Sequence, residues 1–548
     1  MNPGGKNRVA WNLADLYDAA SEAVPERLAL AHGESGPPLS WGEFGGRSNA
    51  LARHLVRSHQ PGDKIALYAH NRPEYMVALV GALKARLVPV NVNYRYREEE
   101  LLYLFDNSDA TAVVYETGFS EPVAKIRDRL PLVKEWIEVP DAAPGNAFAV
   151  PFDQALAEPE ERLDIQRSPD DMLFLYTGGT TGMPKGVMWT QDALFQALGA
   201  GGNPALGQAP SQSLAEQQER IAAEEGTLRL LPACPLMHGT GLFTALNALA
   251  GGGSIVTCDS HTLDARHLWA TVAARGVQAL AIVGDAFGRP LLAALEEDAS
   301  RFDLSSVFLI VSSGVMWSPA NKQGLLQHIP QAVLMDSFGS SEAVGFGTEL
   351  TTRDSSVKLG KFQIGPNCKV FTPEGEEVAP GSEVAGFVAR SGPIPVGYYK
   401  DEGKTAETFR ELQGRRWSIP GDWCTVNADG TLNLQGRGSV CINTGGEKVF
   451  PEEVEECLKL HPAVTDAVVV GLPDEKWGEA VTALVELIPG AELPEATLRG
   501  HVRERLAGYK CPKRVLPVES VGRSPAGKVD YKECRRRAAA TVAAAEGA

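Results

Sequence analysis

The chain has 548 residues, is 44% hydrophobic and 22% charged, and carries a formal net charge of −17. That length is too great for one simple core and predicts two or more domains with the composition of an ordinary soluble globular protein. The acidic balance argues against a broad nucleic-acid-binding surface, while a local positive pocket for a nucleotide stays compatible with it.

The first residues, Met1-Asn-Pro-Gly-Gly-Lys-Asn-Arg-Val, contain no apolar core of a signal peptide, and none is expected. From there helical and strand-like patterns alternate. Leu13 to Val24 reads as an amphipathic helix, Lys64 to Tyr68 as a buried strand and Pro73 to Lys84 as a helix. Leu87 to Asn91 is the next strand, Arg97 to Ser108 a helix and Ala112 to Tyr115 a strand. A second set repeats the rhythm at Leu228 to Leu231, Ser254 to Thr257, Ala279 to Val283 and Val307 to Val311. This is the pattern of parallel sheets covered by helices.

Gly201 to Gly226 interrupts the alternation like an insertion, and its charged second half, Ser213 to Glu225, predicts a solvated helix. The apolar stretch from Gly241 to Cys258 is broken by Asn247 and by Gly251 to Gly253, so no membrane span is predicted. From about Lys361 to Gln435 short strands with Gly, Pro and Asp turns predict a small β subdomain. Beyond Arg437 comes an α+β tail: helix Pro451 to Leu460, strands Ala463 to Val470 and Ala480 to Leu487, and helix Leu498 to Leu506. The alanine-rich end after Arg537 reads as frayed or loosely helical. The eight cysteines form no C-x-x-C pair, so neither zinc nor disulfides are expected, and a reducing cytoplasm is the simplest location.

The segment richest in chemistry is Tyr176-Thr-Gly-Gly-Thr-Thr-Gly-Met-Pro-Lys-Gly186, behind the apolar run Met172 to Leu175. Glycines let backbone N–H groups approach an anion, threonines add donors, and Lys185 adds charge, so the loop is a candidate polyphosphate cradle. It is not a Walker A loop, because Met183 and Pro184 separate Gly182 from Lys185. Taken alone, a glycine–threonine turn on the surface has the same composition.

This loop resembles the phosphate loop of the adenylate-forming superfamily, which includes acyl-CoA synthetases, adenylation domains and luciferases. The resemblance assigns Thr177, Gly178, Gly179, Thr180, Thr181, Gly182 and Lys185 to ATP. Other segments follow in the family's order, from about Leu13 to Lys532. Asp336-Ser-Phe-Gly-Ser-Ser-Glu342 is similar to the tyrosine-glycine-x-threonine-glutamate motif. Phe338 replaces its tyrosine and keeps an aromatic face, Ser341 replaces its threonine and keeps a hydroxyl, and Glu342 is the implied Mg2+ ligand. Asp336, Ser337 and Gly339 are implied nucleotide contacts, as are Ser313 and Gly314 in Ser313-Gly-Val-Met316. Asp422 in Ile419-Pro-Gly-Asp-Trp423 fits a ribose ligand, since one carboxylate accepts from both ribose hydroxyls. Arg437 is implied to reach ribose or phosphate, and Gly438 and Ser439 to form a hinge that lacks the family's usual charged residue. Gly445, Gly446 and Lys448 are implied to face coenzyme A. Lys528, in Arg523-Ser-Pro-Ala-Gly-Lys-Val529, matches the lysine that bridges carboxylate and α-phosphate, and His238, in Pro235-Leu-Met-His-Gly-Thr-Gly241, a gate at the acyl site.

The resemblance thus implies an α/β fold: a large N-terminal domain, residues 1–437, of two βαβ-type sheets plus a small β subdomain, and a small mobile α+β C-terminal domain, residues 438–548. It implies ATP, Mg2+ and coenzyme A as partners, acyl-AMP as intermediate, Lys528, Glu342 and His238 as catalytic residues, and a homodimer as the family's default. Acyl-pocket candidates are His238, Gly284, Asp285, Phe287, Gly314, Phe338 and Phe346. The stretches Gly284 to Phe287, Ser312 to Met316 and Arg437 to Asn443 are most similar to actinobacterial ligases that activate steroid side chains. A fatty, steroid, terpenoid or aromatic acid fits the residues. So do two rival activities: an adenylating enzyme that loads a carrier protein, and a non-catalytic binding relative.

Overall fold

The computed structural model describes residues 9–178, 183–202, 209–223, 228–314, 317–355, 361–382, 384–437, 442–445, 447–449, 451–491, 493–522 and 531–546. The apolar runs pair into three sheets. The first has eight strands in the order Gly397–Tyr398, Pro184–Thr190, Met172–Gly178, Val88–Asn91, Lys64–Tyr68, Ala110–Glu116, Glu135–Val139 and Val150–Pro151. Its middle is parallel, as βαβ connections require. The glycine-threonine loop joins the antiparallel pair Met172–Gly178 and Pro184–Thr190.

The second sheet is larger than the pattern suggests. Strands Leu28–His32, Ser254–Thr257, Arg229–Pro232, Ala279–Ile282, Leu309–Ser313 and Val333–Ser340 lie parallel in that order. The chain then folds back at Ser340–Ala343, and antiparallel strands extend the same ladder through Ala343–Thr351, Lys361–Ile364, Leu432–Arg437 and Asp422–Val426. The expected β subdomain is therefore hydrogen-bonded to the parallel sheet rather than set apart from it. Its short strand Gly397–Tyr398 leaves it altogether and pairs with Pro184–Thr190 of the first sheet. The largest apolar cluster fills the space between the two sheets, with Tyr17, Phe44, Tyr75, Trp189 and Leu246 among its members. These come from helices Leu13–Ala23, Trp41–Leu55, Pro73–Lys84 and Gly239–Ala250 and from strand Pro184–Thr190.

The third sheet has five strands: Glu447–Val449, Ile442–Thr444, Gly478–Leu487 and Val464–Asp474 in order, with Arg514–Val518 parallel to Gly478–Leu487. Helices Pro451–Lys459, Glu495–Arg505 and Tyr531–Glu546 cover it, and together they form a C-terminal lobe.

Two helices correct the sequence reading. Helix Leu214–Ala223 is not simply solvated: Gln217 and Ile221 are buried, Gln217 donates to the Ala250 carbonyl at 2.8 Å, and Arg27 holds the Ile221 carbonyl at 3.0 Å. Charge on its outer face hid these two inward positions, one turn apart. The alanine-rich end is not frayed either. Helix Tyr531–Glu546 seats Cys534 and Ala538 on the third sheet, with Val542 packed alongside. Alanine lets a helix lie close to a sheet, so a stretch that looked featureless has a buried stripe. No described helix is long and apolar enough to cross a membrane.

Candidate active site

The carboxyl ends of adjacent parallel strands are where an α/β sheet offers a crevice. In the second sheet, Leu309–Ser313 and Val333–Ser340 run side by side with Ser312 opposite Asp336 and Ser313 opposite Ser337. Gly314, with φ of 91°, turns the chain away from the strand end. The predicted positions Ser313, Gly314, Asp336, Ser337, Phe338, Gly339 and Ser341 therefore share one rim. The neighbouring strand Ala279–Ile282 brings Gly284 beside it, whose N–H donates to Ser312 Oγ at 2.9 Å.

The first sheet meets this rim through Trp189 and Tyr398. Trp189 donates its indole N–H to the Ser341 carbonyl at 2.9 Å. Tyr398 donates its hydroxyl to Glu342 Oε1 at 2.7 Å, and Ser418 Oγ bonds the Glu342 carbonyl at 2.7 Å. Lys185 forms an ion pair with Asp401, four residues short of which lies strand Gly397–Tyr398. Burial alone would raise the Asp401 carboxyl, but the hydrogen bonds from Lys185 and the Lys404 N–H and the charges of both lysines together outweigh it and hold it below the usual range. Segment 397–401 thus ties the phosphate-loop lysine and the candidate metal carboxylate to one place.

The loop's own frame is equally specific. Asn91 Oδ1 accepts from the Tyr176 N–H at 2.5 Å, and its Nδ2 donates to the Tyr176 carbonyl at 3.0 Å and the Met237 carbonyl at 2.5 Å. Thr177 faces Lys185 across the ladder. A Cβ on Gly186 would lie 2.6 Å from the Tyr176 ring, so this strand pair closes only with glycine there. Asn71 holds the chain that leads to His238, donating to the Pro232 and Cys234 carbonyls at 3.0 and 2.9 Å and accepting from the Leu236 N–H at 2.7 Å. His238 precedes helix Gly239–Ala250, which packs on strand Met172–Gly178 through Gly239 and Leu175.

At His238 the C-terminal lobe arrives. Glu447 lies 3.2 Å from His238 Nε2 and also pairs with Arg95. Its hairpin turns at Gly445, with φ of 58°, where a Cβ would meet the Trp477 ring at 2.7 Å. Glycine is thus required by both backbone and neighbour. Asp422 is buried at the start of its strand and pairs in register with Arg437. Gly179, Thr180, Thr181, Gly182, Gly438, Ser439, Gly446 and Lys528 lie outside the described residues, as do the side chains of Arg437 and Lys448.

Five predicted positions have structural partners. Asp336 is buried against Lys322 at 2.7 Å, and burial pushes its carboxyl up to about 6 despite that lysine. Asp285 Oδ1 accepts from the Ser318 N–H at 2.9 Å and from Ser318 Oγ at 3.0 Å. Phe338 packs 5.3 Å from both Phe346 and Phe362 within an apolar cluster, and Phe346 is 0% exposed there. Phe287 is half-buried where the two large apolar clusters meet. Sequence reasoning missed Tyr398, Asp401, Trp189, Arg95 and Glu447. The Gly-Tyr-Tyr run at 397–399 was a readable signal of hydroxyls on a strand, but nothing in its spacing pointed to residue 342.

The donor chemistry fits a hard cation at Glu342: one carboxylate oxygen is held by Tyr398, which leaves the other for an oxygen-seeking ion. Elsewhere, among the described residues, His70, Glu116 and His261 lie close enough to share a metal. Their imidazoles are stacked at 4.1 Å with planes 2° apart, so the ring lone pairs run parallel and do not converge on one ion.

Two family models match the chain, "AMP-binding enzyme" over residues 17–399 and "AMP-binding enzyme C-terminal domain" over residues 453–528. The chain is 42% identical to the medium/long-chain-fatty-acid–CoA and 3-oxocholest-4-en-26-oate–CoA ligase of Mycobacterium marinum, covering 98% of each protein. It is 41% identical to the 3-oxocholest-4-en-26-oate–CoA ligase of Rhodococcus rhodochrous, covering 96% of this chain and 95% of that one. Among solved structures, the amide bond synthetase McbA from Marinactinospora thermotolerans superposes with a TM-score of 0.79 at 23% identity, over 95% of this chain and 99% of that one.

Proposed function

The chain belongs to the AMP-binding enzyme family, and from that premise we propose that it is an ATP-dependent, AMP-forming carboxylic acid–CoA ligase. The observation that carries the chemistry is segment 397–401, which joins Tyr398 to Glu342 and Asp401 to Lys185. A phosphate-loop lysine and a buried carboxylate held at one point suit the meeting of two anions, a carboxylate and a nucleoside triphosphate. When ATP arrives, its phosphates displace Asp401 from Lys185. Mg2+ bound with it, through Glu342, supplies charge neutralisation at the phosphates. Asp422 accepts from the ribose, and Lys528 bridges the attacking carboxylate and the α-phosphate. The products of this half are acyl-AMP and pyrophosphate.

In the second half the C-terminal lobe turns about Gly438 and Ser439, withdraws Lys528 and offers the Gly445–Gly446 hairpin to coenzyme A. The thiol attacks the acyl carbon, AMP leaves, and acyl-CoA forms. The docking of Glu447 against His238 supports this orientation as one of the two. The acid we propose is a medium- or long-chain fatty acid or a steroid side-chain acid, on the strength of the near-full-length relatives. We place the enzyme in the cytoplasm as a homodimer. The described cysteines are all free, which fits a reducing compartment.

The test is pyrophosphate release with ATP and Mg2+ across fatty, steroid, diterpenoid and aromatic acids, with and without coenzyme A. Release stimulated by coenzyme A, with acyl-CoA seen by mass spectrometry, is the expected result for dodecanoate or 3-oxocholest-4-en-26-oate. Acyl-AMP without thioester would replace coenzyme A by a carrier protein as acceptor. Silence across the whole set would sink the ligase.

A further inference from the structure

The contact between the lobes is centred on one buried lysine. Lys510 lies in the 3-10 turn Gly508–Lys510 of the C-terminal lobe, and its side chain is only 4% exposed. It donates to Glu453 Oε1 at 2.6 Å within its own lobe and to Glu100 Oε1 at 2.7 Å across the boundary. Glu100 is prepared for this by its place in the sequence. It is the third residue of helix Glu98–Asn107, and its Oε2 accepts the Arg97 N–H at 3.0 Å as a helix cap. The cap locks the rotamer, so Oε1 faces outward for the lysine. Aromatic rings close the seam: Tyr96 lies 4.9 Å and Tyr509 5.7 Å from the ammonium, and Asn93 donates to the Tyr509 hydroxyl at 3.2 Å. Arg95, which holds Glu447, belongs to the same segment 93–100.

A charge is costly to bury unless it is well partnered, and each of these three groups is nearly water-free. Lys510 finds its full set of partners only while the lobes are docked in this way. We propose that Lys510 is a positioning residue for acyl transfer: it clasps Glu100 to Glu453 and so holds the Glu447 hairpin against His238, serving thioester formation and not adenylation. The inference rests on the two-orientation reading above, since a lobe that never turns needs no clasp.

The experiment separates the two half-reactions in single turnover, with dodecanoate or, if it turns over faster, 3-oxocholest-4-en-26-oate. Adenylation is read as pyrophosphate release and transfer as thioester formed from pre-made acyl-AMP. Lys510→Met removes the clasp but also strips Glu453 of its partner inside the lobe. Glu100→Gln is the cleaner variant, because the amide oxygen still caps the helix while the interlobe charge is lost. Glu100→Gln should slow transfer by about 5- to 150-fold, the usual span of a coupling between sites, with adenylation within about 2-fold of wild type. The double variant with Lys510→Met should be little slower than either alone, as expected for partners in one contact. Lys528→Ala serves as the opposite control, losing adenylation and keeping transfer. If wild-type enzyme makes no thioester at all, the ligase reading fails and the clasp falls with it. If wild type works but Glu100→Gln leaves transfer untouched, or slows both steps alike, the clasp alone is overturned.

Discussion

Glu342 shows how far single residues were readable. Its place after an aromatic–glycine–serine run marked it as the candidate metal carboxylate by resemblance, and the structure sets it beside Tyr398, which no local pattern linked to it. Lys185 was equally visible in its loop, while Asp401 lies 216 positions away and looked like any turn aspartate. The residues proposed to touch ligand sit in recognisable runs; those that hold them in place are brought in by tertiary pairing and leave no spacing to read. Glu342→Gln tests the assignment. The amide keeps a carbonyl for the Tyr398 hydroxyl and removes the charge a cation needs. Pyrophosphate release should fall by about 100-fold or more, the scale of losing one electrostatic anchor for the reacting phosphates. The melting temperature should move by less than about 4 °C, the shift of roughly 1 kcal/mol in a domain of this kind. Undiminished activity with the fold intact would remove Glu342 from the site.

At the scale of elements, the βαβ rhythm was legible because buried parallel strands are continuous apolar runs, and Lys64–Tyr68, Pro73–Lys84 and Ser254–Thr257 fall where periodicity put them. Leu28–His32 escaped notice, because its partner Ser254–Thr257 comes more than 200 residues later. So did the polar cluster that pins the N-terminal helix to the body. Asp18 of helix Leu13–Ala23 accepts from Lys84 at 2.8 Å and from Arg167 at 2.6 Å, and all three are almost fully buried. Burial alone would raise the Asp18 carboxyl, yet the two cations outweigh it and hold it below its ordinary value. A depressed carboxylate stabilises the fold above its unfolded value, and that contribution is lost as the solution is acidified through its folded value. Asp18→Asn leaves buried Lys84 without its carboxylate and Arg167 with Asp15 alone, and should cost about 3–5 kcal/mol. Thermal unfolding at pH 7 measures it, and a melting temperature equal to wild type would show the cluster to be dispensable.

For the whole molecule, the meeting of the lobes carries a pH dependence whose sign can be worked out from Glu453. Docked, this carboxyl is buried and shares Lys510 with Glu100; burial first, and the Glu100 charge with it, push it up to about 7 against the pull of Lys510. Its Oε2 has no hydrogen-bond partner among the described residues, as suits an oxygen that carries a proton. His501 and Arg505, from the helix packed on the same lobe, face Cys457 instead. When the lobes part, Glu453 loses Glu100, gains water and returns toward the ordinary carboxylate range, so docking takes up a proton. A group raised in the docked state favours docking fully below its undocked value, and the benefit is lost as pH rises through about 7. Ionisation of the coenzyme A thiol works the other way, speeding transfer as pH rises toward about 8.5. Dividing one enzyme by another cancels it. The ratio of transfer rates, Glu453→Gln over wild type, should climb between about pH 4.3 and pH 7, by at most about tenfold per unit, and level off above about pH 7. Adenylation rates measured alongside should keep a constant ratio throughout. A transfer ratio that does not change between about pH 4.3 and pH 7 would mean that Glu453 does not gain its proton at the interface, and the lobes would then meet without a pH-dependent step.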